Sequence, residues 1–225
     1  MQPTILLIET STEWCSVALL ENGKVTASRI TREPKQHASV TAPFAEQVLK
    51  ERNLKASDCD AVAVSAGPGS YTGLRVGVST AKGLCFGSGR PLIGVETLEV
   101  LVQRGLGRAD FIVPMIDARR MEVYCAAFSG NGERISKTQP EVLDETSFSG
   151  LLEKGTVLFI GDGAEKFSKI CRSGNAVFEQ CCPEAQYMAA PAAESFAKGN
   201  FGDVAYFEPF YLKEFVAGVS KKSIL

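Results

Sequence analysis

The sequence predicts an α/β protein of two lobes, the second smaller than the first, and three observations carry the prediction. Three apolar or alternating runs, Ile5–Ile8, Cys15–Leu20 and Val25–Ile30, follow one another directly. They predict an antiparallel meander, whereas a dinucleotide-binding fold opens with strand, helix, strand. Strand and helix signals then alternate as far as about Arg104. A strand, a charged turn and a returning strand come back more faintly between Phe111 and Phe128, as a repeated α/β lobe would show. The expected division is residues 1–104 for the first lobe and 105–225 for the second, with the last segment packing back on the first.

Ile5–Ile8 is continuously apolar, as in a strand covered on both faces, and the polar turn Glu9–Thr12 follows it. Glu21-Asn22-Gly23-Lys24 reads as a hairpin turn. From His37 to about Asn53, Val40, Phe44, Val48 and Leu49 recur at helical spacing, and Pro43 implies either a kink or a later start. Ala61–Ala66 is a buried strand that stops at Gly67-Pro68-Gly69. Ser70 or Thr72 can cap the helix that runs on to about Gly87. Pro91–Val95 is a strand and Glu96–Arg104 a helix. Phe111–Ile116 leads through Asp117-Ala118-Arg119-Arg120 into a returning strand, Met121–Phe128. Beyond an acidic connector, Val157–Ile160 ends in Gly161-Asp162-Gly163 with a short helix behind it. Gly199–Gly202 marks a break before Pro209–Lys213.

Hydrophobic residues at 45% and charged residues at 22% describe an ordinary globular protein, and a net charge of −2 argues against a free-standing nucleic-acid binder. No apolar run approaches the ~20 residues of a membrane span, and the N-terminus lacks a signal-peptide layout, so the cytoplasm is the expected location. Seven cysteines, an odd number, argue against a disulfide framework. Cys15, Cys59, Cys85 and Cys125 read as small core residues, and no role is assigned to Cys171, Cys181 and Cys182. Four zinc ligands at suitable spacing are not found, and with one histidine, His37, no histidine pair can bind a metal.

The Gly67–Ser70 turn and the helix behind it carry two readings. The first free N–H groups of a helix and its dipole favour an anion, so Gly67, Gly69 and Ser70 form a candidate phosphate cradle. Glu9, Ser11 and Asp117 at strand ends could complete a nucleotide cleft with Mg²⁺ and ATP or ADP, and Asp162 would make a third acid. The nucleotide fingerprints are nonetheless incomplete. Walker A fails because Gly67 and Gly73 enclose five residues and Leu74 follows, and GxGxxG is missed by one position. The second reading is a docking helix. Gly73, Gly77 and Ala81, at i, i+4 and i+8, form a stripe on which another helix could lie close, and Gly77→Leu would then block pairing without unfolding the lobe.

Three groups of residues resemble the TsaB (YeaZ) family: Ile5-Leu-Leu-Ile-Glu9-Thr-Ser-Thr with Cys15-Ser-Val-Ala-Leu, then Gly67-Pro-Gly-Ser-Tyr-Thr-Gly-Leu-Arg75-Val-Gly77 with Ala81-Lys82-Gly-Leu, then Asp117-Ala-Arg119-Arg120 with Glu122-Val-Tyr124. The resemblance runs on to Pro209-x-Tyr211-Leu-Lys213. It implies the actin/Hsp70/sugar-kinase (ASKHA) fold with a reduced second lobe, and a part in forming threonylcarbamoyladenosine in tRNA. The related catalytic family, TsaD, carries a metal-binding HxxxH after the next strand. Here Thr97 and Leu101 stand at those places, which implies a chain without the transferase's metal centre and weighs against peptidase activity. The resemblance further implies that the two first-lobe helices pair with a TsaD-like subunit, or with a second copy, as a four-helix bundle. Thr72, Gly73, Val76, Gly77, Thr80, Ala81, Leu84, Val40 and Phe44 would line that interface.

The expectation is therefore a non-catalytic subunit that works with a TsaD-like transferase and a TsaE-like ATPase, forms homodimers alone, reaches tRNA only through the complex and needs no cofactor of its own. The alternatives are an ATP-dependent phospho- or carbamoyltransferase acting by itself and, more remotely, a dinucleotide-dependent oxidoreductase.

Overall fold

The computed structural model describes residues 2–212, so Lys213 of the C-terminal motif lies outside the described residues. The first sheet contains β1 (Ile5–Glu9), β2 (Cys15–Glu21), β3 (Lys24–Thr31), β4 (Ala61–Gly67) and β5 (Leu92–Glu96), in the order β3-β2-β1-β4-β5. β2 and β3 run antiparallel as the predicted meander, while β4 and β5 continue parallel to β1. All five residues of β1 are buried, because helices cover both faces of the sheet.

Helices α1 (His37–Glu51) and α2 (Tyr71–Ser88) cover one face, where Leu6, Ile8, Val62 and Val64 meet Val48, Leu49, Val78 and Cys85. α1 begins at His37 and holds Pro43 within its length, on its exposed side. On the other face Ile5, Leu7, Ala63 and Ile93 meet Met188, just before helix α6 (Ala189–Ala197), and Ala192 within it. Each fully buried aliphatic side chain of this kind contributes about 1.5–3 kcal/mol.

α3 (Thr97–Gly105) lies between the two sheets. Val100 belongs to the core of the first sheet, and Leu98, Leu101 and Val102 pack with Ile112, Ile116, Leu158 and Ile160 of the second. The second sheet contains β6 (Phe111–Asp117), β7 (Glu122–Cys125), β8 (Phe128–Ser129), β9 (Gln139–Val142), β10 (Val157–Ile160) and β11 (Ala176–Glu179). Its order is β11-β10-β6-β7-β9, and β8 pairs β6. Helices α4 (Ser149–Leu152) and α5 (Ala164–Ser168) close its far side over Phe148, Phe159, Phe167 and Phe178, whose rings lie 4.8–5.9 Å apart. The predicted return Met121–Phe128 is two strands rather than one. At the break Ala127 bonds out of the ladder, its N–H donating to Ser136 Oγ and its carbonyl accepting from Ile135 N.

Candidate functional site

The carboxyl ends of β1 and β4 and the start of α2 meet at one place. β4 ends in Gly67 at φ +106°, and Ser70 caps α2 by accepting from Gly73 N at 3.3 Å. The turn after β1 is clamped under this helix. Ser70 N donates to Ser11 O at 2.6 Å, Thr10 N to Ser65 Oγ at 3.3 Å, and His37 Nε2 to Thr12 O at 2.9 Å. A Cβ on Gly69 would lie 2.4 Å from Ser11 O, one on Gly73 2.1 Å from Thr10 O, and one on Gly77 2.1 Å from Thr10 Oγ1. These glycines are therefore needed for the close approach of α2 to the chain's own turn.

That packing corrects the docking stripe. Gly73, Gly77 and Ala81 are buried inside the lobe and cannot meet a partner directly, and Gly77→Leu would collide with Thr10. The outward face of α2 lies a third of a turn away. Thr72 is exposed, Val76, Thr80 and Leu84 are half-buried, and nothing lies within 4 Å of a Cβ on Gly83 or Gly87. Phe86 on this face is 87% exposed. Val40 and Phe44 of α1 are half-buried, and Phe44 and Leu84 both pack at the edge of the same core.

The candidate cleft residues are also placed differently from the expectation. Glu9 and Ser11 are fully buried. Burial pushes the Glu9 carboxyl up from its ordinary range, although nearby Ser11, Ser65 and Thr10 oppose this. Glu9 Oε1 accepts from Ser11 N at 2.7 Å, whereas Glu9 Oε2 and the hydroxyls of Thr10, Ser11 and Thr12 have no partner among the described residues. Two of the N–H groups that would cradle a phosphate are already engaged: that of Ser70 by Ser11 O and that of Gly73 by Ser70 Oγ. Gly67 is covered by Phe210, whose carbonyl would lie 2.5 Å from a Cβ there.

Asp117 and Asp162 do come together. Asp117 N donates to Asp162 Oδ1 at 2.8 Å, and Asp117 Oδ1 accepts from Lys166 Nζ at 2.8 Å. Burial raises the Asp162 pKa to about 6, with the charges of Asp117 and Glu13 adding to the rise. The first-lobe acid felt by this pair is thus Glu13, in the turn, and Glu9 is sealed beneath the turn. The expected ring of three acids is in this sense an acidic pair. Thr97 and Leu101 are both buried, and among the described residues no group of three or more His, Cys, Asp or Glu could hold a metal ion.

The segment before Tyr211 forms a strap on the first lobe, whose individual contacts the sequence did not name. Gly202 N donates to Leu92 O at 2.8 Å, and the Phe207 ring lies 2.6 Å from a Cβ placed on Gly94 or Gly202. Lys82 Nζ of α2 donates to Ala205 O at 2.9 Å and Phe207 O at 3.3 Å. Phe210 N donates to Ala66 O at 2.7 Å, and Tyr211 lies on Tyr71 with centroids 4.9 Å apart. The readable signal was the aromatic spacing Phe207, Phe210, Tyr211 after a glycine break. No helix among the described residues is long and apolar enough to cross a membrane.

Residues 25–214 match the family model described as TsaD, tRNA N6-adenosine threonylcarbamoyltransferase. The chain is 33% identical over 225 residues to the tRNA threonylcarbamoyladenosine biosynthesis protein TsaB of Escherichia coli K12, covering 95% of this chain and 96% of that protein. It is 34% identical over 161 residues to TsaB of Bacillus subtilis, 70% of each. The solved structure of YeaZ from Pseudomonas aeruginosa superposes with a TM-score of 0.83 at 28% identity, covering 93% of this chain and all of that one. An activator of 2-hydroxyisocaproyl-CoA dehydratase from Clostridium difficile shares the fold alone, with a TM-score of 0.51 at 9% identity over 88% of this chain and 96% of that one. The fold is accordingly the ASKHA type with a reduced second lobe. The chain belongs to the TsaB family, within the wider TsaD family, and its role lies in the biosynthesis of threonylcarbamoyladenosine in tRNA.

Proposed function

We propose that this chain is a non-catalytic docking subunit for a TsaD-like transferase. The observation that carries the reading is the outward face of α2, a nearly flat surface of Thr72, Val76, Thr80, Gly83 and Gly87 from which Phe86 stands out 87% exposed. Packed helices lie 8–10 Å apart, nearer where the side chains at the contact are small, and a large exposed aromatic is the residue type that anchors such contacts. Leu84, Val40 and Phe44 continue this face onto α1. When the transferase is absent, the same face pairs two copies of this chain.

The absence of a catalytic role is supported by how the strand-end turn is used. Glu9–Thr12 is buried under α2, and two of the amides that would receive phosphate, those of Ser70 and Gly73, are bonded within the chain. Thr97 and Leu101 offer hydroxyl and hydrocarbon inside the core. On this reading the chain needs no cofactor itself, ATP or ADP with Mg²⁺ belongs to the assembled complex with a TsaE-like ATPase, and tRNA is met through that complex in the cytoplasm. The four oxygens on Glu9–Thr12 that have no partner among the described residues favour a second reading, an ATP-dependent phospho- or carbamoyltransferase.

Calorimetry separates the two. A TsaD-like subunit titrated into this chain should give saturable binding, and ATP with Mg²⁺ titrated into the chain alone should give no heat. Micromolar nucleotide binding without subunit binding would overturn the docking role.

A further inference from the structure

The turn between β6 and β7 presents two arginines that the fold does not use. Of the eleven arginines in the chain, six are held by carboxylates or a backbone carbonyl. Arg32 and Arg75 lie over the rings of Trp14 and Tyr71. The guanidiniums of Arg119 and Arg120 are exposed and have no partner among the described residues. Their neighbours are already committed: Asp117 to Lys166 and to Arg119 N at 2.5 Å, and Asp162 to Asp117 N.

The backbone of this turn makes the choice of residue informative. Arg119 has φ +70° and Arg120 φ +50°. This left-handed region is one that Gly and Asn occupy more readily than Arg. The turn is closed by Glu122 N donating to Arg119 O at 3.1 Å and Ala118 N to Glu122 O at 3.1 Å. Neither guanidinium takes part, so turn formation does not account for arginine at either position.

We propose that the Arg119–Arg120 turn contacts RNA phosphates of the tRNA substrate within the assembled complex. The guanidinium fork matches phosphate oxygens, and its charge survives at any working pH. With a net charge of −2 the chain offers no broad attraction to RNA, so this contact adds to a surface that the partner supplies. The inference rests on the docking role proposed above.

The test removes both charges while suiting the turn: Arg119→Asn with Arg120→Gly, and Arg172→Ala as a control that removes an exposed arginine elsewhere, also without a partner among the described residues. Pairing with the TsaD-like subunit is titrated first, and labelled tRNA binding to the complex is then followed by anisotropy at several salt concentrations. The double variant should pair normally, bind tRNA about tenfold more weakly and show a salt slope smaller by about 1–2, while Arg172→Ala matches the wild type. Unchanged tRNA affinity and salt slope in the double variant would overturn the proposal. So would a loss of ATP binding by the complex with tRNA affinity intact, because the phosphate would then be a nucleotide's. Should the wild-type chain fail to pair, the docking role falls by itself. The same tRNA titration on the isolated chain then decides, and equal affinities for variant and wild type would again refute the contact.

Discussion

Two glycines of α2, ten residues apart, should respond in opposite ways to the same added methyl group. At Gly83 a Cβ meets nothing within 4 Å, so Gly83→Ala gains only helix propensity, about 1 kcal/mol. For a chain of this size that raises the melting temperature by about 2–4 °C. At Gly73 the Cβ would lie 2.1 Å from the carbonyl oxygen of Thr10. That carbonyl cannot rotate away, because Thr10 N is bonded to Ser65 and the neighbouring Ser11 O to Ser70 N. Overpacking of this kind costs about 1–3 kcal/mol and offsets or exceeds the propensity gain. Gly73→Ala should therefore melt several degrees below Gly83→Ala in matched thermal scans. Gly83→Leu, on the outward face, should stay folded yet lose pairing by tenfold or more in sedimentation or calorimetry. Equal melting of the two alanine variants, or full-affinity pairing by Gly83→Leu, would refute the assignment of inner and outer faces.

Three further outcomes follow from named contacts. Asp162, with its pKa raised to about 6, binds a proton in the folded state that it releases when unfolded, so its contribution to stability declines as pH rises from about 4 to above 6. Asp162→Asn, which can still accept from Asp117 N, should be more stable than the wild type by about 1–2 kcal/mol at pH 7.5, and the difference should vanish near pH 4 in a melting series. Phe207→Ala empties the space over Gly94 and Gly202 and should cost about 1–2 kcal/mol, less than a fully buried aromatic, while hydrogen exchange rises along α2 around Lys82. Of the seven cysteines only Cys171 is partly accessible, so a thiol reagent should modify one site quickly in the native chain and the other six on unfolding.

The elements legible in the sequence were those whose burial imposes an unbroken apolar run, such as β1, β4, β6 and β10. β9, Gln139–Val142, escaped because it is a polar edge strand carrying a proline, and β11 because its four residues are only half covered. α6 is short, rich in alanine and holds Pro191, so few large side chains mark its buried face. In α2 the spacing of small residues was readable but their facing was not, since Ser79, Gly83 and Gly87 form a second stripe with the same period as Gly73, Gly77 and Ala81. The distinguishing signal was the larger apolar residues: Leu74, Val78 and Cys85 adjoin the first stripe, and a helix buries the side that carries them. Asp117 and Asp162 were recognisable as strand-end acids. That Glu9 is sealed under the turn depends on glycine contacts from α2, which connect positions more than sixty residues apart.

Glu9 is where the docking and enzyme readings differ most sharply in what a single substitution does. Its carboxyl is fully buried, with one oxygen accepting from Ser11 N and the other without a partner among the described residues. Burial raises its pKa, so at neutral pH the charged form opposes folding, and that penalty is relieved as pH falls toward the ordinary carboxylate range. If the residue is only structural, Glu9→Gln keeps an acceptor for Ser11 N and removes the buried charge. The variant should then melt above the wild type at pH 8, the gap should close as the pH approaches 4.5, and pairing with the transferase should be unaffected. If Glu9 instead served nucleotide chemistry with Mg²⁺, the wild type alone would gain stability from added Mg²⁺ and ATP, and the variant would lose that gain. A melting series with and without Mg²⁺ and ATP reads both outcomes, and a ligand-dependent shift confined to the wild type would defeat the non-catalytic assignment.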